Sequence, residues 1–138
     1  MIKFSRSVVV PGLLALAGCA AGAATRGAGD EALSQARRVA PRGARVYSQE
    51  CAGCHGKRGE GLGSTPAVMG KSALARFRTA TDLHDYISKT MPLPKRRAGT
   101  LPPSDYWAVT GFVVEANGVA LPEGGLTPEA ASDVSISR

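Results

Sequence analysis

Aromatic residues are scarce in this chain of 138 residues: three Phe, three Tyr and one Trp, 5% of the total. That is thin for a self-sufficient core of this size, so a bound group with its own apolar bulk would complete it. Long apolar runs are lacking too. The stretch from Val8 to Ala17 is broken by Pro11 and Gly12, whereas spanning a bilayer takes about 20 apolar residues. Soft and nitrogen ligands are few, with three cysteines and two histidines, so a four-ligand structural zinc site is hard to assemble. The formal charge is +6. Yet there is no long basic tract, and no helix interleaves basic residues with aromatics, so nucleic acid is not indicated. Glycine and proline are plentiful, at 17 and 9 residues, which predicts long connecting loops.

The informative run is Cys51-Ala52-Gly53-Cys54-His55. Two thiols three positions apart, followed at once by a histidine, is the pattern for covalent attachment of c-type haem. Cys51 and Cys54 would each form a thioether to a haem vinyl group, and His55 would give its imidazole to one face of the iron. The cofactor expected is one covalent haem c. Other readings of the run fare worse. Half a zinc site would need partners, and only Cys19 and His84 remain. A thioredoxin-like pair would lie near a βαβ pattern, and no strand-rich segment is nearby. Gly70-Lys71-Ser72 matches the end of a phosphate-cradling loop, but no glycine stands five positions before Gly70 and no apolar strand precedes it.

Residues 1–18 read as a signal peptide, with Lys3 and Arg6 before a short apolar stretch. Leu16-Ala17-Gly18-Cys19 resembles the bacterial lipoprotein signal, in which the cysteine is lipidated and becomes the first mature residue. Several acyl chains give stable anchoring where one does not. Cys19 is thus the expected membrane anchor on the periplasmic side. Ala20, where Asp would retain the protein, points by resemblance to sorting rules toward the outer membrane. Cleavage near Ala21-Gly22-Ala23, giving a soluble periplasmic protein, is the alternative. Residues 19–40 read as a tether. Within it Asp30 to Ala40 can form a short helix, with Leu33, Ala36 and Ala40 on one side and Pro41 at its end.

Residues 41–122 are expected to form the haem domain, and 123–138 a tail. The first helix runs from Pro41 or Arg42 to near Cys51, with Pro41 suited to the first turn. Gly43, one turn before Tyr47, marks either close approach of another backbone or a frayed start. Residues 57–69 read as a loop punctuated by glycines. Leu83, Tyr86, Ile87 and Thr90 recur at the spacing of one helical face over 81–90, with Thr81 able to cap the start. Pro92 prevents continuation. Met91 is the candidate second axial ligand, since a thioether is a soft, neutral donor and His/Met ligation raises the potential of a c-type haem. Met69, His84 and an open site are its competitors. A last helix spans 104–116, with Ser104 at its cap and Asn117-Gly118 at its stop. Trp107, at its flank, can either pack or donate its indole N–H to a haem propionate. In the tail, Leu121 and Leu126 can cover the domain, Thr127-Pro128-Glu129 can start a helical turn, and the last residues are expected to be mobile.

Taken together, these segments resemble a class I c-type cytochrome, similar to the small cytochromes and cytochrome subunits that work with periplasmic dehydrogenases. The resemblance covers residues 43–118: Gly43 to Tyr47, Cys51 to Gly56, Gly59-Glu60-Gly61 through Pro66-Ala67-Val68, Tyr86 to Pro92, and Tyr106 to Phe112. It implies an all-α fold, three main helices plus loops wrapped around one haem. It implies that the Pro66 carbonyl accepts the imidazole N–H of His55, and that Gly43 and Tyr47 cross the closing helix at Val109 and Phe112. One departure is the basic segment after Met91. Lys89, Lys95, Arg96 and Arg97 can form a docking surface for an acidic redox partner, Arg96 or Arg97 can pair with a propionate, or the segment is a solvated loop. The function implied is outer-sphere electron transfer by an electron carrier, with no substrate bond made. It can also be the cytochrome subunit of an oxidoreductase complex. The alternative is a haem sensor or peroxidase-like protein with an open or labile distal site.

Overall fold

The computed structural model describes residues 28–136. The expected signal peptide, Cys19, the first part of the expected tether and the last two residues lie outside them. Among the described residues the chain is helical, with no strand beyond a single antiparallel bridge between Thr79 and Ser135.

The centre of the fold is helix α5, Pro103–Ala116. Its buried residues, Tyr106, Val109 to Val114 and Ala116, lie on nearly every side of the helix, the pattern of a helix packed from several directions. Three helices pack on it: α1 (Ala28–Val39), α2 (Pro41–Val46) and α4 (Ala80–Thr90). Gly43 is the reason α2 comes so close. A Cβ there would collide with the Ala108 carbonyl and lie 2.7 Å from Phe112 Cβ. One turn on, Tyr47 packs its ring on Phe112, centroids 5.4 Å apart. The expected crossing of the first and last helices is thus present, made by backbone contact that only glycine permits.

The first helix does not stop near Cys51. After α2 the chain widens into a π-helical turn, Tyr47–Cys51, and continues as α3, Ala52–His55. Gly56, at φ +83°, ends it, since a left-handed residue cannot propagate a helix.

Two expected caps are corrected. Helix α4 begins one residue earlier than its apolar stripe suggests, because Thr79 and Asp82 form a capping box. The Asp82 carboxylate accepts from the Arg78 and Thr79 amides at 3.1 and 3.0 Å. Thr81, the expected cap, lies inside the helix, and its hydroxyl is buried without a partner among the described residues. Helix α5 starts at Pro103 and has no side-chain cap. Ser104 instead accepts from Arg42, 2.8 Å, beside the Arg42–Asp105 ion pair.

The core extends past 41 and 122 in both directions. Leu33 and Ala36 of α1 are buried in it, as are Ala131, Val134 and Ile136. The C-terminal stretch reaches the start of α4 through backbone bonds, Ala80 N to Val134 O and Ile136 N to Arg78 O, both 2.9 Å. Leu121 and Leu126 lie over Gly111, where a Cβ would meet them at 3.4 and 3.3 Å. No helix of the described residues is long and apolar enough to cross a membrane.

Candidate haem site

Cys51, Cys54 and His55 sit at the end of the long first helix, so their relative positions are set by helical geometry. Both thiols are free: Cys54 is exposed and Cys51 partly buried. Burial, then the neighbouring Glu50, pushes the Cys51 thiol up to about 12. Redox-active Cys-x-x-Cys pairs need the opposite, a lowered thiol. Nor do the described residues contain a cluster of three or more His, Cys, Asp or Glu able to hold a metal ion.

The loop from Gly56 to Met69 folds back under His55. Gly61 N donates to the His55 carbonyl at 2.8 Å, and Val68 N to Gly59 O at 2.8 Å. Gly61 has φ +80°, and a Cβ there would lie 2.5 Å from Thr65 O and 2.8 Å from Ala67 N, so glycine is required at this turn. The turn places the Pro66 carbonyl 2.9 Å from His55 Nδ1. A carbonyl only accepts, so Nδ1 carries the proton and Nε2 keeps its lone pair for a metal.

Two side chains brace this loop that the sequence did not mark for it. The buried Tyr47 phenol donates to Gly56 O at 2.8 Å, and burial raises its pKa above the ordinary range. Asn117, expected only to end α5, donates to Val68 O at 2.9 Å and accepts from Gly70 N at 3.1 Å. Helix α1 reaches the same loop through the Asp30–Arg58 ion pair and an Arg37 bond to Lys57 O at 3.3 Å.

Met91 lies at the end of α4, partly buried. Its amide completes the helix, donating to Ile87 O at 2.9 Å, and its carbonyl accepts from Tyr106 at 2.9 Å and Gly99 N at 3.3 Å. The competing ligands are engaged elsewhere. Met69 is buried in the core against Gly59. His84 stacks on Trp107, centroids 3.5 Å apart and rings within 5° of parallel, while its Nδ1 lies 3.3 Å from Asp85. The Lys89 ammonium, then His84, hold the Asp85 carboxyl below its usual range.

The basic segment divides. Arg97 is bound to Glu50 at 2.6 Å, tying the chain after Met91 to the residue before Cys51. Lys89 pairs with Asp85 at 3.1 Å. Lys95 and Arg96 are exposed and have no ion pair among the described residues. The structure therefore joins His55 to Pro66 and engages Arg97 with Glu50 and Trp107 with His84. Two large apolar side chains stay exposed on the flanking loops, Leu62 at 48% and Leu93 at 56%.

A cavity of about 740 Å³ lies elsewhere. It lies between α1, residues 69–75 and the end of α5, and Cys51, Cys54, His55 and Met91 do not line it. Size alone is a poor guide here, because the Cys-x-x-Cys-His run and its Pro66 contact lie outside this cavity.

Comparison with known proteins shows the family and the fold. Residues 38–113, more than half the chain, match the family described as cytochrome c oxidase, cbb3-type, subunit III. A chain in the crystal structure of the sulfane dehydrogenase SoxCD from Paracoccus pantotrophus is similar at 28% identity and a TM-score of 0.59. The match covers 70% of this chain and 52% of that one, so about half of the SoxCD chain has a counterpart here. No curated protein matches the chain. The Cys-x-x-Cys-His helix end, the all-α fold and the family match lead to one conclusion: the chain belongs to the cytochrome c family described as cbb3-type subunit III, and is a haem electron-transfer protein rather than a catalyst of bond chemistry.

Proposed function

We propose that this chain carries one haem c, attached through Cys51 and Cys54, with His55 and Met91 as axial ligands. When bound, the haem supplies a one-electron couple at its iron. The chain's residues hold and tune it. The observation that carries the reading is the 2.9 Å contact from His55 Nδ1 to the Pro66 carbonyl, beside two free thiols. It fixes the imidazole ring and tautomer and raises the basicity of Nε2. Met91 is the distal ligand on this reading because Met69 and His84 are occupied. Leu62 and Leu93 then shield the haem's apolar edges, which accounts for their exposure.

The chain is exported, held at the periplasmic side through lipid on Cys19, and passes electrons between a dehydrogenase or respiratory complex and an acceptor. The outer membrane is the site that Ala20 favours. The likeness to a chain of a sulfane dehydrogenase supports a dehydrogenase as the redox partner. Lys95 and Arg96 form the core of the docking surface for an acidic partner, since Arg97 is taken up by Glu50. Complementary charge there would raise the encounter rate.

The test is the spectrum of protein made in cells with haem-attachment machinery. A low-spin ferric form, with the weak methionine-to-iron band at the red edge and little reaction with cyanide or carbon monoxide, is expected. A high-spin ferric form that binds either readily would show an open distal site and a sensor or peroxidase-like protein instead.

A further inference from the structure

Met91 leaves α4 in extended backbone, with φ −125° and ψ 158°. No helical ladder fixes it from the C-terminal side. Its carbonyl is held from another element. The Tyr106 hydroxyl, on α5, donates to Met91 O at 2.9 Å, and the phenol oxygen itself accepts from the Leu101 amide at 3.4 Å. Gly99 N adds a longer bond of 3.3 Å to Met91 O. One phenol oxygen thus joins the first residue of the 91–101 loop to its last. Tyr106 is 3% exposed, so water does not compete freely for these bonds.

The ring of Tyr106 packs in the core as a phenylalanine would. Its hydroxyl has no packing purpose, and a buried hydroxyl is retained where it has a partner to satisfy. Here the partner is the backbone of the residue proposed as distal ligand. We propose that Tyr106 is a positioning residue: it fixes the Met91 backbone and thereby sets how firmly Met91 Sδ is held toward the iron. The inference rests on Met91 being that ligand. Without the hydroxyl, Gly99 N alone would hold the carbonyl, and Met91 would swing away more often.

The experiment compares wild type, Tyr106→Phe and Thr110→Val as full-length holoproteins. Thr110 is the control. Its hydroxyl is also buried on α5 and donates to Tyr106 O at 2.8 Å, a bond within that helix and not to the 91–101 loop. Tyr106→Phe should keep covalent haem and fold. It should lose the red-edge band about one pH unit earlier on alkaline titration, and at about tenfold less cyanide, the size of effect one buried hydrogen bond gives. Thr110→Val should destabilise the protein to a similar extent and leave both titrations where wild type has them. Absence of the band from wild type would overturn the Met91 reading and this inference with it. A wild-type band that Tyr106→Phe leaves unmoved would overturn the inference alone. So would an equal shift in Thr110→Val, which would mean general loosening of α5.

Discussion

The two faces of the candidate haem site are built differently. The His55 face is mainly local: within 41–70, a helix end, glycine turns and backbone bonds bring the Pro66 carbonyl to the imidazole, with Asn117 and helix α1 bracing the loop from outside. The Met91 face is assembled from afar. Tyr106 comes from α5, and the loop's outer end is tied to Glu50 by Arg97. A face made of short-range backbone bonds is rigid and readable from a motif. One made of long-range side-chain bonds can be loosened one contact at a time. Damage to the first should therefore cost folding and haem capture, and damage to the second should alter ligation while leaving the haem attached.

Gly61→Ala should have the largest effect on stability. Its positive φ and its closeness to Thr65 O and Ala67 N leave no room for a methyl group, so we expect destabilisation of about 1–3 kcal/mol by denaturant unfolding, with a lower yield of attached haem. Met91→Leu is a volume-conserving change, with a packing cost under about 1.5 kcal/mol. Haem attachment should persist, while the red-edge band disappears, cyanide binds and the potential falls. Equal loss of attached haem in both variants would break the contrast between the faces. The smallest effect should come from Arg97→Ala. Its side chain is 48% exposed and that of Glu50 25%, so solvent screening limits the pair to less than about 1 kcal/mol. Faster cyanide binding with little change in stability would sharpen the contrast. Destabilisation as large as that of Gly61→Ala would contradict it.

The same division decides what could be read from the residues alone. Cys51, Cys54 and His55 declare themselves because their spacing is their chemistry. The position of Met91 at the end of α4 is legible because Pro92 ends a periodic helix just after it, and α5 because prolines and Asn117-Gly118 bracket it. The cap at Thr79 is equally local but was obscured by Thr81, which stands nearer the apolar stripe; Asp82, three residues after Thr79, was the available signal. Tyr106, Tyr47 and Asn117 gave no such sign. Each looks like ordinary packing or an ordinary helix stop until the partner backbone is in place. The stretch from Ala131 to Ile136 was opaque for a related reason. It is short and not strongly periodic, and its order comes from bonds to residues 78–80. Arg97 read as a propionate or docking cation because its partner, Glu50, lies 47 positions away.

Covalent haem is the claim on which everything else stands. The most direct measurement is a haem stain on a denaturing gel, made on the full chain expressed with haem-attachment machinery, beside a Cys51→Ala/Cys54→Ala double variant. A stained band at the protein's own mass in the wild type, absent from the double variant, is the predicted result. An unstained wild-type band, or a double variant that stains equally, would contradict it.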